Sequence, residues 1–288
     1  MLDAVLLGHG PAAVSAALYL QRAGLKSALV GMGAGSLEKA EKIENYYGLS
    51  APVSGEELYQ NGIAQAKSLG AEIITDEVFG VDFDGEGFTV QGKNGSYQGH
   101  SVLFATGAAR TAPPIPGLKK LEGHGVSYCA VCDGFFYRGK TVAVLGEGGY
   151  ALHEAGELAP LAQQVYLLTN GKEPTADEIP YPVDKRPILR LEGEGVLQRI
   201  VFEGGETLEA DGLFVALGSA TGADLARKTG VETDGRYILV DEGMATNLPG
   251  IFAAGDCVGG LLQVSKAVSD GARAATSMIA FLRKKKKA

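Results

Sequence analysis

The chain has 288 residues, of which 45% are hydrophobic, so its composition predicts one large or two ordinary packed domains and excludes a disordered chain. Its 34 acidic and 26 basic residues give a net charge of −8, which argues against nucleic acid as the main partner. Three cysteines are too few for a secreted disulfide framework, and no run reaches the ~18 apolar residues that span a bilayer, so we expect a cytoplasmic protein without a membrane partner.

The first element that the pattern predicts is an apolar strand at residues 3–8. It runs into the loop Gly8-His9-Gly10-Pro11-Ala12-Ala13, after which a helix extends to about Arg22 and a second strand covers 26–31. Pro11 suits the first turn of a helix, and Gly24 suits its C-terminal stop. This succession of strand, glycine loop, helix and strand is typical of a nucleotide-binding unit.

A second group of elements follows before the middle of the chain. Residues 54–69 are typical of a helix, 71–83 are rich in strand-forming residues, and 101–107 form an apolar strand that ends in Ala105-Thr106-Gly107. Three prolines between residues 113 and 116 then predict a linker. We therefore expect a first segment to end at residue 111 and an inserted domain to begin at 112.

Two of the three cysteines lie in the run Cys129-Ala130-Val131-Cys132, which Asp133 follows directly. Thiols at this spacing can close and reopen a small disulfide, and the N–H groups in the first turn of a helix favour a thiolate. An acid next to the pair can deliver or take the proton that thiol exchange needs. The run therefore predicts a redox site. Zinc would need a second pair of Cys or His ligands, so we expect no metal.

The pattern of strand, loop and helix recurs after the cysteine pair. Residues 141–146 form a strand, the loop Gly146-Glu147-Gly148-Gly149-Tyr150-Ala151 follows, and 151–159 begin a helix that leads to a strand at 164–169. Gly146, Gly148 and Ala151 keep the mutual spacing of Gly8, Gly10 and Ala13. The repeat predicts two dinucleotide-type domains.

The chain closes with a third glycine-containing turn and a helix. The run TNLPGIFAAGDC (246–257) predicts a turn and an apolar strand that ends in Gly255-Asp256, and a helix follows from about Gln263 to Leu282. After it come the five positive charges of residues 283–287. We interpret them as a frayed, solvated helix end, with a docking tail for an acidic protein as the alternative.

The glycine-containing turns at the two ends of the chain together predict a flavin dinucleotide. A GxG loop lets the backbone approach a pyrophosphate, and Asp256 can bond the hydroxyls of the sugar-alcohol chain. We therefore expect an FAD-binding domain made of 1–111 plus 222–288, interrupted by a redox domain at 112–221. The predicted fold is α/β, with two Rossmann-like three-layer domains, the second inserted into the first.

The second glycine loop gives a different prediction. In a nicotinamide-binding unit, the second strand is followed by an acid that reads the ribose of NAD or by an arginine that reads the phosphate of NADP. Here Thr169-Asn170-Gly171 follows that strand, with neither residue type. We expect the inserted domain to keep the nucleotide fold without binding a nicotinamide cofactor.

With these motifs, the chain resembles the low-molecular-weight thioredoxin reductases over nearly its whole length. The resemblance implies two Rossmann-like domains, a homodimer, one FAD in each subunit, and thioredoxin as the partner that is reduced. It rests on GHGPAA, KIENYYG (42–48), LFATGA, GVSYCAVCDGFFYRGK, GLFVALG (212–218), and NLPGIFAAGDC followed by QVSKAVSDGARAA.

The resemblance also implies roles for residues of this chain. Cys132 would lie beside the flavin and take its electrons, Cys129 would attack the disulfide of thioredoxin, and Asp133 would be the general acid. The inserted domain would swing, because the cysteines cannot touch the flavin and thioredoxin at once. The FAD contacts would be Gly8, Gly10, Pro11, Ala12, Ala13, Val78, Ala105, Thr106, Gly107, Gly255 and Asp256, with Asn45, Gln263 and Val264 facing the flavin.

The chain departs from the NADPH-using members of that family. They carry a His-Arg-Arg run and a further arginine where this chain has LLTNGKE, and the run YPVDKRP (181–187) replaces longer helical structure. These departures resemble the ferredoxin-dependent flavin thioredoxin reductases, so we expect reduced ferredoxin as the electron donor. Two alternatives stay open: an NAD(P)H-dependent thioredoxin reductase, or a flavin electron-transfer or redox-sensing protein without thioredoxin turnover.

Overall fold

The computed structural model describes residues 1–107, 113–175, 178–218 and 220–287. The chain divides into two compact units: unit 1 comprises Met1–Ala109 with Thr221–Ala288, and unit 2 comprises Arg110–Ala220. The predicted boundary between 111 and 112 lies outside the described residues. The predicted return to the first domain, at 222, is one residue beyond the start of the second segment of unit 1.

The elements of the first segment of unit 1 are, in chain order, β1 (Leu2–Leu7), α1 (Pro11–Arg22), β2 (Ser27–Gly31), a 3₁₀ helix (Gly35–Lys39), α2 (Gly55–Ser68), β3 (Glu72–Thr75), β4 (Val78–Phe83), β5 (Phe88–Gly92) and β6 (Ser96–Phe104). Those of unit 2 are a 3₁₀ helix (Lys119–Leu121), β7 (Val126–Ser127), α3 (Ala130–Asp133), a 3₁₀ helix (Gly134–Tyr137), β8 (Thr141–Leu145), α4 (Gly149–Leu158), β9 (Gln164–Leu168), β10 (Val183–Asp184), β11 (Ile188–Glu192), β12 (Arg199–Phe202), β13 (Thr207–Glu209) and β14 (Gly212–Val215). The last segment adds α5 (Gly222–Thr229), β15 (Ile251–Ala253), a 3₁₀ helix (Gly255–Val258) and α6 (Val264–Lys285).

Unit 1 is built on a seven-stranded sheet. Its parallel strands lie in the order β3, β2, β1, β6, and the antiparallel β5 and β4 continue beyond β6. The long β6 pairs with β5 through residues 96–99 and with β15, in parallel, through 102–104. The carboxyl ends of β1, β6 and β15 therefore meet at one edge of the sheet, where a ligand of an α/β fold binds.

Small residues let α1 and α6 pack closely in the core of unit 1. Ala13 and Ala17 of α1 and Ala274 of α6 are fully buried in one hydrophobic cluster. A Cβ on Gly271 would lie 2.1 Å from the carbonyl oxygen of Ala12, so this crossing accepts only glycine. The contact ties the last helix of the chain to the helix that begins at the first glycine loop.

Unit 2 contains a five-stranded parallel sheet in the order β10, β9, β8, β14, β7. A separate antiparallel sheet, β11-β12-β13, packs its apolar residues into the same hydrophobic core. Helix α4 follows β8 through a glycine loop, as α1 follows β1 in unit 1. The prediction of an α/β fold with two Rossmann-like units, the second inserted into the first, is confirmed.

The basic C-terminal run is more ordered than the sequence predicts. Helix α6 continues through Lys285, whose Nζ donates to the carbonyl oxygen of Glu86, and Lys286 forms an ion pair with Asp3 (2.8 Å). Positive side chains also interact favourably with the C-terminal end of a helix dipole. The prediction of a helix that frays after Leu282 is therefore wrong for these two lysines. Among the described residues, no helix is both long and apolar enough to cross a membrane.

Candidate active site

The cysteine pair lies at the start of the four-residue helix α3. Cys129 is the N-cap residue, with extended backbone (φ −146°, ψ 103°), and its Sγ accepts the N–H of Cys132 at 3.1 Å. The two sulfurs form a disulfide, with 5.3 Å between the Cα atoms. The two thiols that the spacing predicts as a redox pair are therefore joined, in the first turn of a helix.

The two sulfurs of the pair differ in accessibility. Cys129 is 3% exposed, whereas Cys132 belongs to the exposed residues. A disulfide is opened by attack on the sulfur that a reductant can reach. In the oxidised pair, an external reductant therefore meets Cys132.

The carboxylate of Asp133 is fixed by the segment that precedes the pair. Its Oδ2 accepts the hydroxyl of Ser127 at 2.7 Å, and the oxygen of that hydroxyl accepts the N–H of Cys129 at 3.1 Å. The backbone N–H of Asp133 donates to the carbonyl oxygen of Cys129. The hydroxyl of Ser127 therefore links the carboxylate of Asp133 to the backbone of Cys129.

Sequence reasoning missed a second acid beside the pair, Glu154. This residue lies on α4, is 1% exposed, and its Oε2 accepts the N–H of Ala130 at 2.8 Å. One signal could have found it: Glu154 lies at helical spacing between the buried residues Tyr150 and Leu158. A charged residue on the apolar stripe of a helix needs a polar partner inside the protein.

Helix α4 also serves as the platform on which the cysteine segment rests. A Cβ on Gly134, the residue after Asp133, would lie 3.2 Å from Cδ2 of Leu158 and 3.3 Å from Cδ1 of Leu161. Glycine therefore lets the backbone of the segment lie directly on the apolar side chains that end α4.

An exposed apolar surface surrounds the pair. Val131 lies between the two cysteines and is exposed, and Phe135 and Phe136 are 65% and 69% exposed. The guanidinium of Arg138 lies 5.1 Å from the centroid of the Phe135 ring. Exposed aromatic and arginine side chains in one patch are typical of a protein-docking surface.

In unit 1, the first glycine loop brings two strand ends into direct contact. Gly8 has φ +115°, and a Cβ there would lie 2.3 Å from the carbonyl oxygen of Ala105. Gly10 faces open space, with no atom within 4 Å of the position of a Cβ. Helix α1 begins at Pro11 without a side-chain cap, so its N-terminal N–H groups face this opening. The geometry suits a pyrophosphate.

The third loop lies against the first. A Cβ on Gly255 would lie 3.0 Å from Cβ of Ala12, and Lys266 Nζ donates to the carbonyl oxygens of Gly255 (2.7 Å) and Gly259 (2.6 Å). The half-buried Asp256 follows Gly255, and its burial raises the pKa of its carboxyl above the ordinary value. A ligand hydroxyl that donates to this carboxylate would replace the water that burial removes.

Two further predicted residues meet across the chain. Asn45 Nδ2 donates to Oε1 of Gln263 at 2.9 Å, and Gln263 precedes α6, which begins at Val264 without a side-chain cap. Val78 starts β4 and pairs with Gly92, and Gly107 has φ +81° with open space at its Cβ position. The structure therefore brings the predicted residues of the Gly8, Ala105 and Gly255 loops together, and separately joins Asn45 to Gln263.

The residues of unit 1 fit a flavin dinucleotide. The hydroxyl oxygen of Thr106 is buried and has no hydrogen-bond partner within the protein, which calls for a polar group from a ligand. Gly10 leaves open space at the start of α1, and α1 and α6 both begin without side-chain caps. Together these supply the close backbone approach, the anion-binding N–H groups and the unpaired polar atom that FAD would use.

In unit 2, the second glycine loop keeps the backbone geometry of the first. A Cβ on Gly146 would lie 2.3 Å from the carbonyl oxygen of Ala216, the same close approach that Gly8 makes to Ala105. Its surroundings differ. Thr175 donates its N–H (2.8 Å) and its hydroxyl (3.2 Å) to the carbonyl oxygen of Glu147, within the loop itself.

The side chain of Glu147 adds a negative charge at this loop. Its Oε1 forms an ion pair with Lys172 Nζ (2.5 Å), and its other oxygen is buried. A Cβ on Gly148 would lie 3.5 Å from Oγ1 of Thr175, so the segment from Lys172 to Thr175 lies against the glycines. A carboxylate at this position would repel a pyrophosphate.

The turn after β9, where a nicotinamide-binding unit reads the ribose, is closed by the chain itself. Thr169 is fully buried and donates its hydroxyl to Lys172, and Asn170 adopts φ +49° while its Oδ1 accepts the N–H of Ile188 at 2.6 Å. The nearby Arg186 is paired with Asp184 (2.5 Å) and Glu206 (3.6 Å) and stacks on Phe202. The predicted compact run 181–187 contains the edge strand β10.

The third cysteine takes no part in this site. Cys257 is buried, and burial raises the pKa of its thiol to about 11. Its Sγ donates to the carbonyl oxygens of Ala254 (3.2 Å) and Phe104 (3.3 Å). Among the described residues, no three Cys, His, Asp or Glu side chains cluster as a metal site would require.

Comparisons with known proteins agree with this geometry. The model of the pyridine nucleotide-disulphide oxidoreductase family matches residues 2–271. The thioredoxin reductase of Peptoclostridium acidaminophilum is 35% identical over 95% of both chains. Two crystal structures are similar: the atypical thioredoxin reductase TRi from Desulfovibrio vulgaris Hildenborough (39% identity, 99% of both chains, TM-score 0.93) and a ferredoxin-flavin thioredoxin reductase from Clostridium acetobutylicum (31% identity, 98% of both chains, TM-score 0.76).

Proposed function

The chain belongs to the pyridine nucleotide-disulphide oxidoreductase family and, within it, to the thioredoxin reductases, and from this we propose that it reduces thioredoxin with electrons from reduced ferredoxin. It is an FAD-dependent disulfide reductase. The choice of ferredoxin rests on one observation, the occupied glycine loop of unit 2. The ion pair of Glu147 with Lys172 and the hydrogen bond of Thr175 to this loop support the proposal that it does not bind the phosphates of NADPH. A relative of the same family, from Clostridium acetobutylicum, is a ferredoxin-flavin enzyme.

The residues that would hold FAD lie at the strand ends of unit 1. The N–H groups at the start of α1 would bind the pyrophosphate above Gly8 and Gly10, and Asp256 would accept hydroxyls of the sugar-alcohol chain. Asn45, Gln263 and the start of α6 at Val264 would contact the flavin ring. The other predicted FAD contacts would be Pro11, Ala12, Ala13, Val78, Ala105, Thr106, Gly107 and Gly255. When bound, FAD links one-electron donors to two-electron acceptors.

The cysteine pair would carry the electrons to thioredoxin. Reduction of the Cys129–Cys132 disulfide consumes two electrons and two protons and gives two thiols. The Cys129 thiolate then attacks the thioredoxin disulfide to form a mixed disulfide, and Cys132 displaces it, which restores the Cys129–Cys132 bond and releases thioredoxin as a dithiol. Asp133 would exchange the protons, and the hydrogen bond that fixes its carboxylate next to the pair supports this role.

Accessibility supports this division of roles. Cys132 is the exposed sulfur in the oxidised pair, as the first electron acceptor must be, and Cys129 is 3% exposed and must become accessible before it attacks thioredoxin. The surface of Val131, Phe135 and Phe136 beside the pair offers thioredoxin an apolar docking area. We also expect the protein to be a cytoplasmic homodimer. Analytical ultracentrifugation would measure the mass of the assembly.

The electron donor is tested by anaerobic mixing of the purified yellow protein with excess NADPH, with NADH, and with reduced ferredoxin. We expect the flavin absorbance to bleach with ferredoxin only, because Glu147 and Thr175 occupy the second glycine loop. The absorbance near 450 nm gives the readout.

Prompt bleaching by NADPH would instead support the second candidate, an NAD(P)H-dependent thioredoxin reductase. One observation favours that candidate: Gly146 keeps the same 2.3 Å approach to Ala216 that Gly8 makes to Ala105. In that case, the segment from Lys172 to Thr175 must leave the loop when the cofactor binds.

The role of the pair is tested by Cys129→Ser. We expect this variant to retain FAD, because Cys129 belongs to unit 2 and the predicted FAD contacts belong to unit 1, and to lose thioredoxin reduction completely. Cys257→Ser is the matched control, since Cys257 is buried outside the pair, and it should keep both properties. Full activity of Cys129→Ser would exclude the proposed thiol exchange.

A further inference from the structure

The buried carboxylate of Glu154 has no part in the chemistry described so far. Its Oε2 accepts the N–H of Ala130, which directly follows Cys129 and is the first residue of α3. The carboxyl group therefore lies at the start of α3, the helix that Cys129 caps and that contains Cys132, inside the protein, where water screens a charge little.

The carboxylate of Glu154 opposes the effect that a helix N-terminus usually has on a cysteine. Free N–H groups at a helix N-terminus stabilise a thiolate. A stabilised thiolate favours the reduced pair over the disulfide, so the disulfide becomes a stronger oxidant. Here the N–H of Cys132 donates to the sulfur of Cys129, but the N–H of Ala130 donates to Glu154 and the N–H of Cys129 donates to Ser127. The charge of Glu154 further disfavours a second negative charge on either sulfur.

We propose that Glu154 is a positioning residue that lowers the reduction potential of the Cys129–Cys132 pair by disfavouring the thiolates of its reduced form. The inference rests on the proposed function, in which the pair must pass its electrons onward. A dithiol that is destabilised in this way is a stronger reductant of a partner disulfide. Glu154 exchanges no atom in the reaction: two electrons open the disulfide, each sulfur either takes up a proton or stays a thiolate, and the charge of Glu154 disfavours the thiolate.

The test measures the dithiol–disulfide equilibrium of the FAD-loaded protein in mixtures of reduced and oxidised dithiothreitol. Acid quenching, alkylation under denaturing conditions and mass spectrometry count the thiols, with Cys257 as a constant background. The measurement needs neither ferredoxin nor thioredoxin, so its outcome is independent of whether the proposed donor and partner are right.

Glu154→Gln keeps an acceptor for the Ala130 N–H and removes the charge. We expect it to shift the equilibrium about tenfold toward the dithiol, or about 30 mV for this two-electron couple. Glu157→Gln removes an exposed charge from the same helix and should shift it less than about twofold, because exposed charges are screened by solvent. A folded Glu154→Gln protein with the wild-type equilibrium would overturn the proposal.

Ala130→Pro provides the complementary change. It removes the N–H but keeps the charge, and proline suits both the first helical position and the extended Cys129 that precedes it. Because the N–H of residue 130 no longer donates to the carboxylate and offsets its charge, we expect a shift toward the disulfide. Shifts of both variants in the same direction would mean that the hydrogen bond only holds the helix. If Glu154→Gln fails to fold, the Ala130→Pro variant is a sufficient test by itself. An equilibrium that is unchanged in this variant, or that shifts toward the dithiol, would overturn the proposal.

Discussion

His9 shows how one side chain can fix the loop on which a cofactor would depend. Its Nε2–H donates to the carbonyl oxygen of Ile74 (3.0 Å), and the hydroxyl of Tyr59 lies 3.5 Å from Nδ1. The ring is 2% exposed, between the sheet and α2. The buried, neutral ring therefore stabilises the Gly8–Gly10 loop. Both of its nitrogens have a polar partner, as is expected for a buried polar group.

The burial of His9 predicts a pH dependence of stability. Burial lowers the pKa of the folded imidazole below its ordinary value of 6.5, so the unfolded chain binds the proton more readily. The stability that the neutral ring provides is present above about pH 6.5 and is lost progressively as the pH falls below it. We expect His9→Gln to reduce the fall in thermal unfolding temperature between pH 7 and pH 5, with FAD in excess.

The exposed His124 provides the control for this measurement. His124→Gln should show the wild-type fall in unfolding temperature, because an exposed ring has a similar environment in the folded and unfolded chains. Equal pH dependence in wild type and His9→Gln would show that protonation of His9 is not coupled to unfolding.

At the scale of elements, the crossing of α1 and α6 is one of the close backbone contacts on which the fold of unit 1 depends. Gly271→Ala would place a methyl group 2.1 Å from the backbone oxygen of Ala12, and neither backbone can yield without moving a helix. We expect a loss of about 1–3 kcal/mol in the free energy of unfolding, together with weaker FAD binding, because Ala12 belongs to the first turn of α1. Chemical denaturation measures the first effect and flavin fluorescence the second.

Gly156→Ala is the matched control for that substitution. Gly156 is exposed on α4, and a Cβ there would meet only the hydroxyl of Tyr181, at 3.9 Å. A helical glycine costs about 0.5–1 kcal/mol relative to alanine, so this variant should be more stable than wild type. A Gly271→Ala protein as stable as wild type would show that α1 and α6 separate more readily than their contact indicates.

The sequence predicted those elements whose signals are local. The helix that ends at Arg22 and the strand that begins at Thr141 follow from apolar periodicity and glycine punctuation. The two-residue strand β10 and the antiparallel sheet β11-β12-β13 do not, because such short strands exist only through pairing with distant segments. The same reason hid Glu154, whose partner Ala130 lies far from it in sequence.

The cysteine site was also predictable from the sequence only in part. The spacing of Cys129 and Cys132 was sufficient to predict a redox pair, and the disulfide joins them. Their unequal burial was not predictable, because it depends on how α3 packs against α4 and on the glycine at 134 that permits this packing.

At the scale of the whole molecule, the two glycine loops predict a single cofactor. The N-terminus of α1 is open in unit 1, whereas the loop of unit 2 is bonded to Thr175 and carries the charge of Glu147. We therefore expect one FAD per chain, measured as the flavin released by heat against the protein concentration. Two FAD per chain would contradict this and would favour a flavin electron-transfer protein without thioredoxin turnover.

The pairing of β6 with β15 has a consequence for how the chain is made. All of unit 2 is synthesised between these two strands, so the N-terminal sheet leaves the ribosome before the strand that completes it exists. Unit 2, which is continuous in sequence, is the first part that can finish folding during translation. The apolar face of α1 is covered only after α6, which lies beyond unit 2 in the sequence, has been made. We therefore expect a chain that stops after unit 2 to contain a folded unit 2 and an exposed, aggregation-prone N-terminal segment.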